Sequence, residues 1–267
     1  MLLQEADGLI AGTEPLNAEV LREAKRLRVI SRCGVGLDNV DLAAAEARGI
    51  AVLATTEAAT NAVAELTLAG ILALLRHLPT LDRRCKAREW KREMGLLLEG
   101  RCVGVVGLGR IGKRVAGLLT AFGARVIAQD VREDREFASA NGIEYVSLET
   151  LLRRADIVTL HVSLGPESRR LIRAEQLALM KPGALLINCA RGDLVDEKAL
   201  AESLQSGHLG GAFLDTFSEE PYAGPLLDLP GVLVTPHIGS YTVESRVAME
   251  IEAVQNLIRF FERWEVA

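Results

Sequence analysis

A glycine-rich hexapeptide constrains the fold of this chain more than any other feature. Gly107, Gly109 and Gly112 follow an apolar run at 102–106 and open a stretch with helical periodicity. In such a strand–turn–helix unit the first glycine permits a tight turn, the second lets the backbone approach a diphosphate, and the third lets helix and strand pack closely. The N–H groups at the start of the helix then attract negative charge. This order of elements predicts a dinucleotide-binding βαβ unit.

An acidic residue after the next apolar run supports that prediction. Asp130 lies 18 residues beyond Gly112, which places its carboxylate to accept hydrogen bonds from the adenosine ribose. A G-x-G-x-x-G sequence alone is weak evidence, but here the strand, glycines, helix and acid occur in the required order. Because a carboxylate at this position repels a 2′-phosphate, we expect the cofactor to be NAD and not NADP.

The composition indicates an ordinary globular protein. The 267 residues, 49% of them hydrophobic and 25% charged, suffice for one large domain or two modest ones. A net charge of −5 gives no reason to expect nucleic acid or an anionic membrane as a partner. No signal peptide is apparent, and the longest apolar run, near 66–75, is too short to span a membrane. The four scattered cysteines favour free thiols over disulfides or a metal site. We therefore expect a soluble, cytoplasmic protein without a metal.

Short β-rich runs alternate with helical patterns from about residue 101 onward. Runs that are apolar throughout and separated by helices indicate a parallel sheet covered on both faces. We therefore predict a Rossmann-type, doubly wound α/β domain over residues 61–243, with its ligand at the carboxyl ends of the strands. The predicted strands are 102–106, 125–130, 157–161, 184–189, 211–215 and 232–235.

The first sixty residues carry a smaller αβ pattern. Together with the last helical stretch they predict a second lobe, formed by residues 1–60 and 244–267, with a cleft between the two lobes. We interpret the apolar stripe on the last helix as core and not as a partner site. The stripe consists of Val247, Ile251, Val254, Leu257, Ile258 and Phe261.

Three polar residues that suit catalysis each follow an apolar strand. They are Arg191, Glu220 and His237, and the carboxyl ends of parallel strands meet at one edge. An arginine binds a carboxylate through two parallel hydrogen bonds, and a histidine exchanges a proton near neutral pH while a carboxylate fixes its tautomer. Taken singly, the three residues are explained more simply as an ion-pair partner, a solvated acid and a helix cap. Together at strand ends they predict a catalytic group.

Six motifs follow one another along nearly the whole chain, at 32–41, 63–65, 107–112, 190–192, 215–221 and 235–240. In this order they resemble the D-isomer-specific 2-hydroxyacid dehydrogenase family. The resemblance implies two Rossmann-like or flavodoxin-like lobes, NAD as cofactor and a homodimer. It also implies an NAD-dependent oxidoreductase that transfers a hydride between C2 of a D-2-hydroxy acid and the nicotinamide.

The resemblance implies a role for each candidate residue. Arg191 is expected to bind the substrate carboxylate and polarise the C2 oxygen, and His237 to exchange the proton of the C2 hydroxyl. Glu220 is expected to hydrogen-bond His237 and stabilise its cation. Val35 and Gly36 belong to a turn whose backbone amides are expected to bind the same carboxylate.

Further residues are implied to line the cofactor. Taken alone, His161 is better explained by packing or a backbone hydrogen bond than by acid–base work, and Cys189 by a small buried thiol. The implied cofactor-binding residues are Gly107, Gly109, Arg110, Ile111, Gly112, Asp130, His161, Cys189 and Asp215.

Departures from the family pattern bear on the smaller lobe and on the substrate. The resemblance begins at what is usually the third strand of the substrate lobe. We therefore expect an N-terminally shortened, flavodoxin-like lobe with an open strand edge, which is mobile or stabilised by dimerisation. Phosphoglycerate-specific members often carry a basic residue where this chain has Ala11 and Gly12, although Arg32 is an alternative phosphate ligand. We also expect no C-terminal regulatory domain.

Several functions remain open at this stage. D-3-phosphoglycerate is the expected substrate, and glyoxylate or hydroxypyruvate is the alternative. An NAD-responsive corepressor-type protein and a non-catalytic dinucleotide-binding remnant are alternatives from another class. The presence of Arg191, Glu220 and His237 argues against both.

Overall fold

The structure is a computed structural model that describes residues 2–265. These residues form two compact units. Unit 1 joins the chain up to Ala62 to the chain from Ser240 onward, and unit 2 comprises Val63–Gly239. The roles assigned to the two lobes from the sequence stay predictions.

Ten strands form two parallel sheets within the described residues. The sheet of unit 1 has the order β1-β2-β3, and the sheet of unit 2 has the order β10-β9-β8-β7-β4-β5-β6. The predicted α/β fold with a doubly wound parallel sheet is confirmed. The strands are β1 (Gly8–Ala11), β2 (Val29–Arg32), β3 (Ala51–Ala54), β4 (Cys102–Val106), β5 (Arg125–Gln129), β6 (Glu144–Tyr145), β7 (Ile157–Leu160), β8 (Leu185–Asn188), β9 (Gly211–Leu214) and β10 (Val232–Val234).

Ten α-helices accompany these strands in residues 2–265. Side-chain caps start several of them: Asp41, Ser147 and Asp196 each accept a hydrogen bond from the N–H group three residues on. The helices are α1 (Ala18–Glu23), α2 (Leu42–Ala47), α3 (Thr60–Leu75), α4 (Leu78–Lys86), α5 (Arg110–Ala121), α6 (Arg135–Ala140), α7 (Leu148–Arg154), α8 (Ala174–Leu179), α9 (Glu197–Gln205) and α10 (Val243–Glu265).

The core of unit 2 forms where its sheet meets the helices. Strands β7 and β9 are buried at every residue, as expected for a parallel sheet covered on both faces. Glycines let two helices come close to the sheet. A Cβ at Gly104 of β4 would lie 2.3 Å from the Leu151 side chain of α7, and one at Gly70 of α3 would lie 1.9 Å from the Phe213 ring of β9.

The prediction that the apolar stripe of α10 is core is wrong for most of the stripe. The face of α10 that packs on the sheet of unit 1 is centred on Met249 and Ala253, which are buried. Leu257 and Phe261 are partly buried and lie next to Gly8. The helix is apolar over more than half of its circumference, and a three-stranded sheet covers only part of that surface. The exposed members of the stripe are Val247, Ile251, Val254 and Ile258.

The described residues show neither a membrane-spanning helix nor a metal-binding cluster. Between residues 2 and 265 no single helix has both the length and the apolar composition of a membrane span. Helices α3 and α4 have this length and composition only when they are taken together, and a bend of 62° separates them. The same residues contain no cluster of three or more His, Cys, Asp or Glu side chains that would hold a metal ion.

The thiols differ in accessibility, which gives a test of the fold. Cys33, Cys102 and Cys189 are buried, whereas Cys85 is exposed. Burial raises the pKa of the Cys102 thiol, and it raises the pKa of Cys189 to about 12. Because the thiolate is the reactive form, iodoacetamide at pH 8 is expected to alkylate Cys85 alone in the native protein, as counted by mass spectrometry. Cys85→Ser is expected to abolish the labelling, and fast labelling of Cys189 would contradict the fold.

Candidate active site

The carboxyl edge of the unit 2 sheet gathers most of the residues predicted to bind the cofactor. The last residues of six strands pair in register across the sheet: Gln129, Val106, Leu160, Asn188, Leu214 and Val234. The residue that follows each strand therefore emerges at the same edge. These residues are Asp130, Gly107, His161, Cys189, Asp215 and Thr235.

The glycine turn lies at the point where the strand order reverses. Strands β5 and β7 flank β4, and ligands of open α/β sheets bind at such a switch point. Gly107 has a φ of +91°, and a Cβ there would lie 2.7 Å from the His161 backbone. A Cβ at Gly112 would lie 2.0 Å from the carbonyl oxygen of Gly107. Two of the three glycines are therefore required by close backbone contacts.

The third glycine leaves open space at the start of α5. Gly109 is the N-cap of this helix and provides no side-chain cap, and a Cβ there would meet nothing within 4 Å. Arg110 and Ile111, the next two predicted cofactor residues, form the first turn of the helix. An uncapped helix N-terminus behind an open glycine fits the diphosphate of a dinucleotide, because the N–H groups and the helix dipole favour an anion.

Asp130 connects the end of β5 to the glycine turn. Its Oδ2 accepts a hydrogen bond from the Leu108 N–H at 2.6 Å, and its Oδ1 accepts one from the Arg132 N–H at 2.9 Å. A carboxylate has about four lone-pair sites, so both oxygens keep capacity for a ligand. The side chain thus positions the turn and is available to the ribose hydroxyls.

His161 follows β7 beside Gly107 and is held as a neutral ring. Its Nε2 lies 2.8 Å from the hydroxyl of Thr159, while the buried Nδ1 has no hydrogen-bond partner among residues 2–265. Burial lowers the pKa of His161 to about 3. A buried ring that stays neutral is not set up to gain and lose a proton near neutral pH, which agrees with packing as the simpler explanation.

Cys189 follows β8 and is buried, with its thiol hydrogen-bonded to Thr67. The neighbouring Arg191 is partly buried, and its Nη1 donates a hydrogen bond to the Ala190 carbonyl at 2.7 Å. Asn188 holds this loop from behind: its Nδ2 donates to the Arg191 carbonyl at 2.8 Å, and its Oδ1 accepts from the Ala190 N–H at 3.1 Å. Sequence reasoning missed Asn188, whose signal is an amide at the end of an otherwise apolar strand.

Asp215 follows β9 and fixes the loop after β10. Its carboxylate accepts hydrogen bonds from the Thr235 hydroxyl at 2.5 Å, from the Ile238 N–H at 2.8 Å and from the Gly239 N–H at 2.7 Å. Its backbone carbonyl accepts one from the His237 N–H at 2.9 Å. Burial raises the pKa of Asp215, while these donors oppose the rise. The side chain is therefore a buried anchor for the loop.

His237 and Glu220 form an ion-pair-type contact. The Nδ1 of His237 lies 2.9 Å from the Oε2 of Glu220, and both side chains are partly exposed. The other carboxylate oxygen accepts a hydrogen bond from the Phe217 N–H at 3.0 Å, which orients the carboxylate. Because Nδ1 is engaged, Nε2 is the ring nitrogen left to face a substrate. The pair has the arrangement of a general base with its orienting acid.

The loops that carry the three candidate catalytic residues are in contact. A Cβ at Gly192, next to Arg191, would lie 1.8 Å from the backbone of Phe217, and Phe217 is the donor to Glu220. An apolar cavity of about 490 Å³ adjoins the Glu220–His237 pair, with Phe217 and Tyr222 in its wall.

The predicted carboxylate-binding turn lies at the carboxyl end of β2 in unit 1. A Cβ at Gly34 would lie 1.7 Å from the guanidinium of Arg32, which donates to the Cys33 carbonyl. The Gly34 N–H is taken by the Thr55 hydroxyl at 2.7 Å. Val35 is 40% exposed, so the N–H groups available to an anion are those of Val35 and Gly36.

Comparisons with known proteins agree with this geometry. Residues 68–239 match the family model described as "D-isomer specific 2-hydroxyacid dehydrogenase, NAD binding domain". The chain is 44% identical to D-3-phosphoglycerate dehydrogenase of Methanocaldococcus jannaschii over 92% of this chain and 48% of that protein. It is 39% identical to glyoxylate reductase of Pyrococcus furiosus over 97% of this chain and 80% of that protein.

A solved structure shows the same fold. D-lactate dehydrogenase from Aquifex aeolicus, complexed with NAD and lactic acid, superposes with a TM-score of 0.91 at 33% identity, over 98% of this chain and 84% of that one. This chain therefore belongs to the D-isomer-specific 2-hydroxyacid dehydrogenase family, and unit 2 contains the family's NAD-binding domain. The chain spans about half the length of the phosphoglycerate dehydrogenases it matches.

Two glycines of the turn are expected to respond differently to alanine. Gly112→Ala forces a methyl group against the Gly107 carbonyl, so unit 2 should lose about 1–3 kcal/mol of stability. Gly109→Ala places its methyl group in open space, so the melting temperature should stay near the wild-type value while NADH affinity falls at least about tenfold. Thermal melts and NADH fluorescence titrations measure both effects. If Gly109→Ala bound NADH as tightly as wild type, the assignment of the diphosphate to the glycine turn would be contradicted.

The neutral state of His161 makes the stability of the fold depend on pH. The folded protein disfavours protonation of this ring, whereas the unfolded chain protonates near pH 6.5. The folded state is therefore favoured fully above pH 6.5, and its free energy of unfolding falls as the pH is lowered toward 3. At pH 5 the loss is at most about 2 kcal/mol. Urea denaturation of wild type and His161→Gln at pH 7.5 and 5 measures this loss. The variant should lose less stability than wild type on acidification, and equal losses would contradict a buried neutral ring.

Proposed function

We propose that this protein is an NAD-dependent D-2-hydroxyacid dehydrogenase, and that its substrate is D-3-phosphoglycerate. The observation that carries the proposal is the contact of 2.9 Å between the His237 ring and the Glu220 carboxylate, both within the part of the chain that matches the family's NAD-binding domain. When bound, NAD supplies the nicotinamide ring that carries the hydride. All other steps fall to residues of this chain.

The cofactor site is assigned to the carboxyl edge of the unit 2 sheet. The open space at Gly109 and the uncapped start of α5 suit the diphosphate. Asp130 is assigned to the ribose hydroxyls, where its negative charge disfavours the 2′-phosphate of NADP. Asp215 and His161 are assigned to the nicotinamide end, because they follow strands β9 and β7 on the far side of the turn from Asp130.

His237 is proposed as the general base. Its Nε2 takes the proton of the C2 hydroxyl as the C2 hydrogen leaves as hydride, and returns it in the reverse direction. Glu220 fixes the tautomer through Nδ1 and stabilises the imidazolium that forms. Arg191 is proposed to bind the substrate carboxylate with its planar guanidinium. Val35 and Gly36 are proposed to offer backbone N–H groups to a carboxylate.

A second substrate class is favoured by one observation in unit 1. After β1 the chain carries Gly12 and Glu14, and the Glu14 carboxylate accepts a hydrogen bond from the Gly12 N–H at 3.0 Å. An acid at this position disfavours a doubly charged phosphate, although Arg32 lies at the end of the adjacent strand β2. Glyoxylate or hydroxypyruvate, which lack the phosphate, are therefore the alternative substrates.

The assembly and the location of the protein are also proposals. We infer a homodimer because the sequence motifs resemble a family whose members are usually dimeric. We infer a cytoplasmic location from the four cysteines, which are free thiols in the structure and suit a reducing compartment.

Activity measurements with matched variants test the proposed chemistry. NADH oxidation with phosphohydroxypyruvate, hydroxypyruvate, glyoxylate and pyruvate should identify one preferred acid. His237→Gln should lower kcat about 10²–10⁴-fold, because proton transfer by a positioned base contributes that much. The dissociation constant for NADH should stay near the wild-type value, since His237 is not assigned to the cofactor.

Glu220→Gln and Glu219→Gln form a matched pair of neighbouring substitutions. Only Glu220 contacts His237, so Glu220→Gln should lower kcat at least about tenfold, whereas exposed Glu219→Gln should leave it unchanged. Equal activities of the two variants would contradict the assigned role. Wild-type protein that binds NADH but reduces none of the four acids would contradict the proposed enzyme.

A further inference from the structure

The loop that carries Glu220 has little support from its own backbone. Between residues 2 and 265, no backbone-to-backbone hydrogen bond involves residues 216–223, a segment that we call the Glu220 loop. The Glu220 side chain is 38% exposed, yet its carboxylate lies 2.9 Å from the His237 ring. Contacts made by side chains must therefore hold the Glu220 loop in place.

Glu197 provides one of these contacts from a neighbouring helix. Its Oε1 accepts a hydrogen bond from the Ser218 N–H at 2.7 Å. Glu197 is the first residue of α9, a helix that is capped by Asp196 and packs into the core of unit 2 through Leu200. Because both the cap and the buried face anchor this helix, the Glu197 carboxylate is a fixed acceptor for the backbone of the Glu220 loop.

The peptide bond between Phe217 and Ser218 connects Glu197 to Glu220. The N–H group one residue earlier, that of Phe217, donates to the Glu220 carboxylate at 3.0 Å. A Cβ at Gly192 would lie 1.8 Å from the Phe217 carbonyl carbon and 2.2 Å from the Ser218 nitrogen, so this peptide also packs against the loop after β8. Two carboxylates thus bind two successive N–H groups, and a shift of one N–H group moves the other.

A pair of stacked rings transmits the same constraint across the Glu220 loop. The rings of Phe217 and Tyr222 are 4.3 Å apart between centroids, with an angle of 17° between their planes. Burial raises the pKa of the Tyr222 phenol, and the negative charge of Glu197 raises it further, so the Glu197 carboxylate also lies near this ring. The residues on either side of Glu220 are therefore fixed against each other and against the start of α9.

We propose that Glu197 is a positioning residue of the active site, which holds the Ser218 N–H so that the Glu220 carboxylate stays aligned with His237. No hydrogen bond joins Glu197 to Glu220 or His237 within residues 2–265. Glu197 therefore acts through the backbone of the Glu220 loop and not on the reacting atoms. The inference rests on the proposed function and deepens it, because it names a residue on which the Glu220–His237 pair depends.

A simpler role for Glu197 is that of an acid in the first turn of a helix, where the helix dipole favours negative charge. That role needs the charge but not the length of the side chain. Glu197→Asp keeps the charge and is one methylene too short to reach Ser218. Glu197→Gln loses the charge and keeps both the length and a carbonyl oxygen that accepts a hydrogen bond. The two variants therefore separate the two roles.

Steady-state kinetics with the acid that wild type prefers, together with NADH fluorescence titrations, test the inference. Glu197→Ala and Glu197→Asp should each lower kcat about tenfold, because a small misplacement of a reacting group is costly. Glu197→Gln should keep kcat within about twofold of wild type, since it retains the acceptor. The dissociation constant for NADH should not change in any of the three variants. Glu202→Ala is the matched control on α9, because Glu202 is exposed and pairs with Lys198, and it should leave kcat unchanged.

A double variant tests whether Glu197 acts through Glu220. In a Glu220→Ala background there is no carboxylate left to align, so Glu197→Ala should lower kcat further by less than about twofold. Circular dichroism and thermal melts check that each variant is folded, and Glu197→Asp carries the test if Glu197→Ala does not fold.

Three results would overturn the inference and leave the proposed enzyme intact. They are wild-type kcat in both Glu197→Ala and Glu197→Asp, equal losses in Glu197→Gln and Glu197→Ala, and the same tenfold loss from Glu197→Ala in the wild-type and Glu220→Ala backgrounds. Wild type that binds NADH but reduces none of the four acids would overturn the proposed function and, with it, this inference.

Discussion

The buried carboxylate of Asp215 is the interaction on which the geometry of the site depends. It binds three donors from the segment 235–239, and its backbone carbonyl binds the His237 N–H. His237 adopts a φ of +53°, a left-handed conformation that costs a side-chain-bearing residue about 1 kcal/mol or more. Four hydrogen bonds to one aspartate are sufficient to hold it. The imidazole is therefore presented by a rigid loop and needs only Glu220 to set its tautomer.

The parallel register of the sheet extends this rigidity across the site. Six strands end in one row, so the residues after them share an edge whatever their distance in the sequence. Asp130 and Asp215 come from strands on opposite sides of the glycine turn. The same edge therefore presents a carboxylate on each side of the turn. Loops of different length and composition can build one site, because the sheet fixes the position at which each loop begins.

Much of unit 2 could be predicted from the sequence, because strand, glycine and helix signals agree there. The glycine turn at 107–112 and six of the seven strands could be placed to within a residue or two. Strand β6 could not, since its two residues give no periodicity. The role of Asn188 could not be predicted either, because its hydrogen bonds to the backbone of Ala190 and Arg191 leave no periodic pattern in the sequence.

The stripe of α10 shows why burial is harder to predict than helicity. Periodicity identifies an apolar face, but α10 has apolar residues on more than one side, and only contacts decide which side the sheet covers. Met249 and Ala253 pack inward, whereas Val247 and Ile251 do not. The three strands that residues 2–265 contribute to this sheet cover one of the two faces. The number of strands is a tertiary fact that no local pattern contains.

The discontinuity of unit 1 has a consequence for the order of folding. Its sheet is built from residues before Ala62, but the helix that covers the sheet begins at Val243. During synthesis at about 5–20 residues per second, strands β1–β3 leave the ribosome roughly 10–40 s before α10. Unit 2, which is continuous in sequence, can close its core first, whereas unit 1 must wait for contacts of very high sequence separation. In the nascent chain the sheet of unit 1 therefore stays without the helix that covers it until α10 has been synthesised.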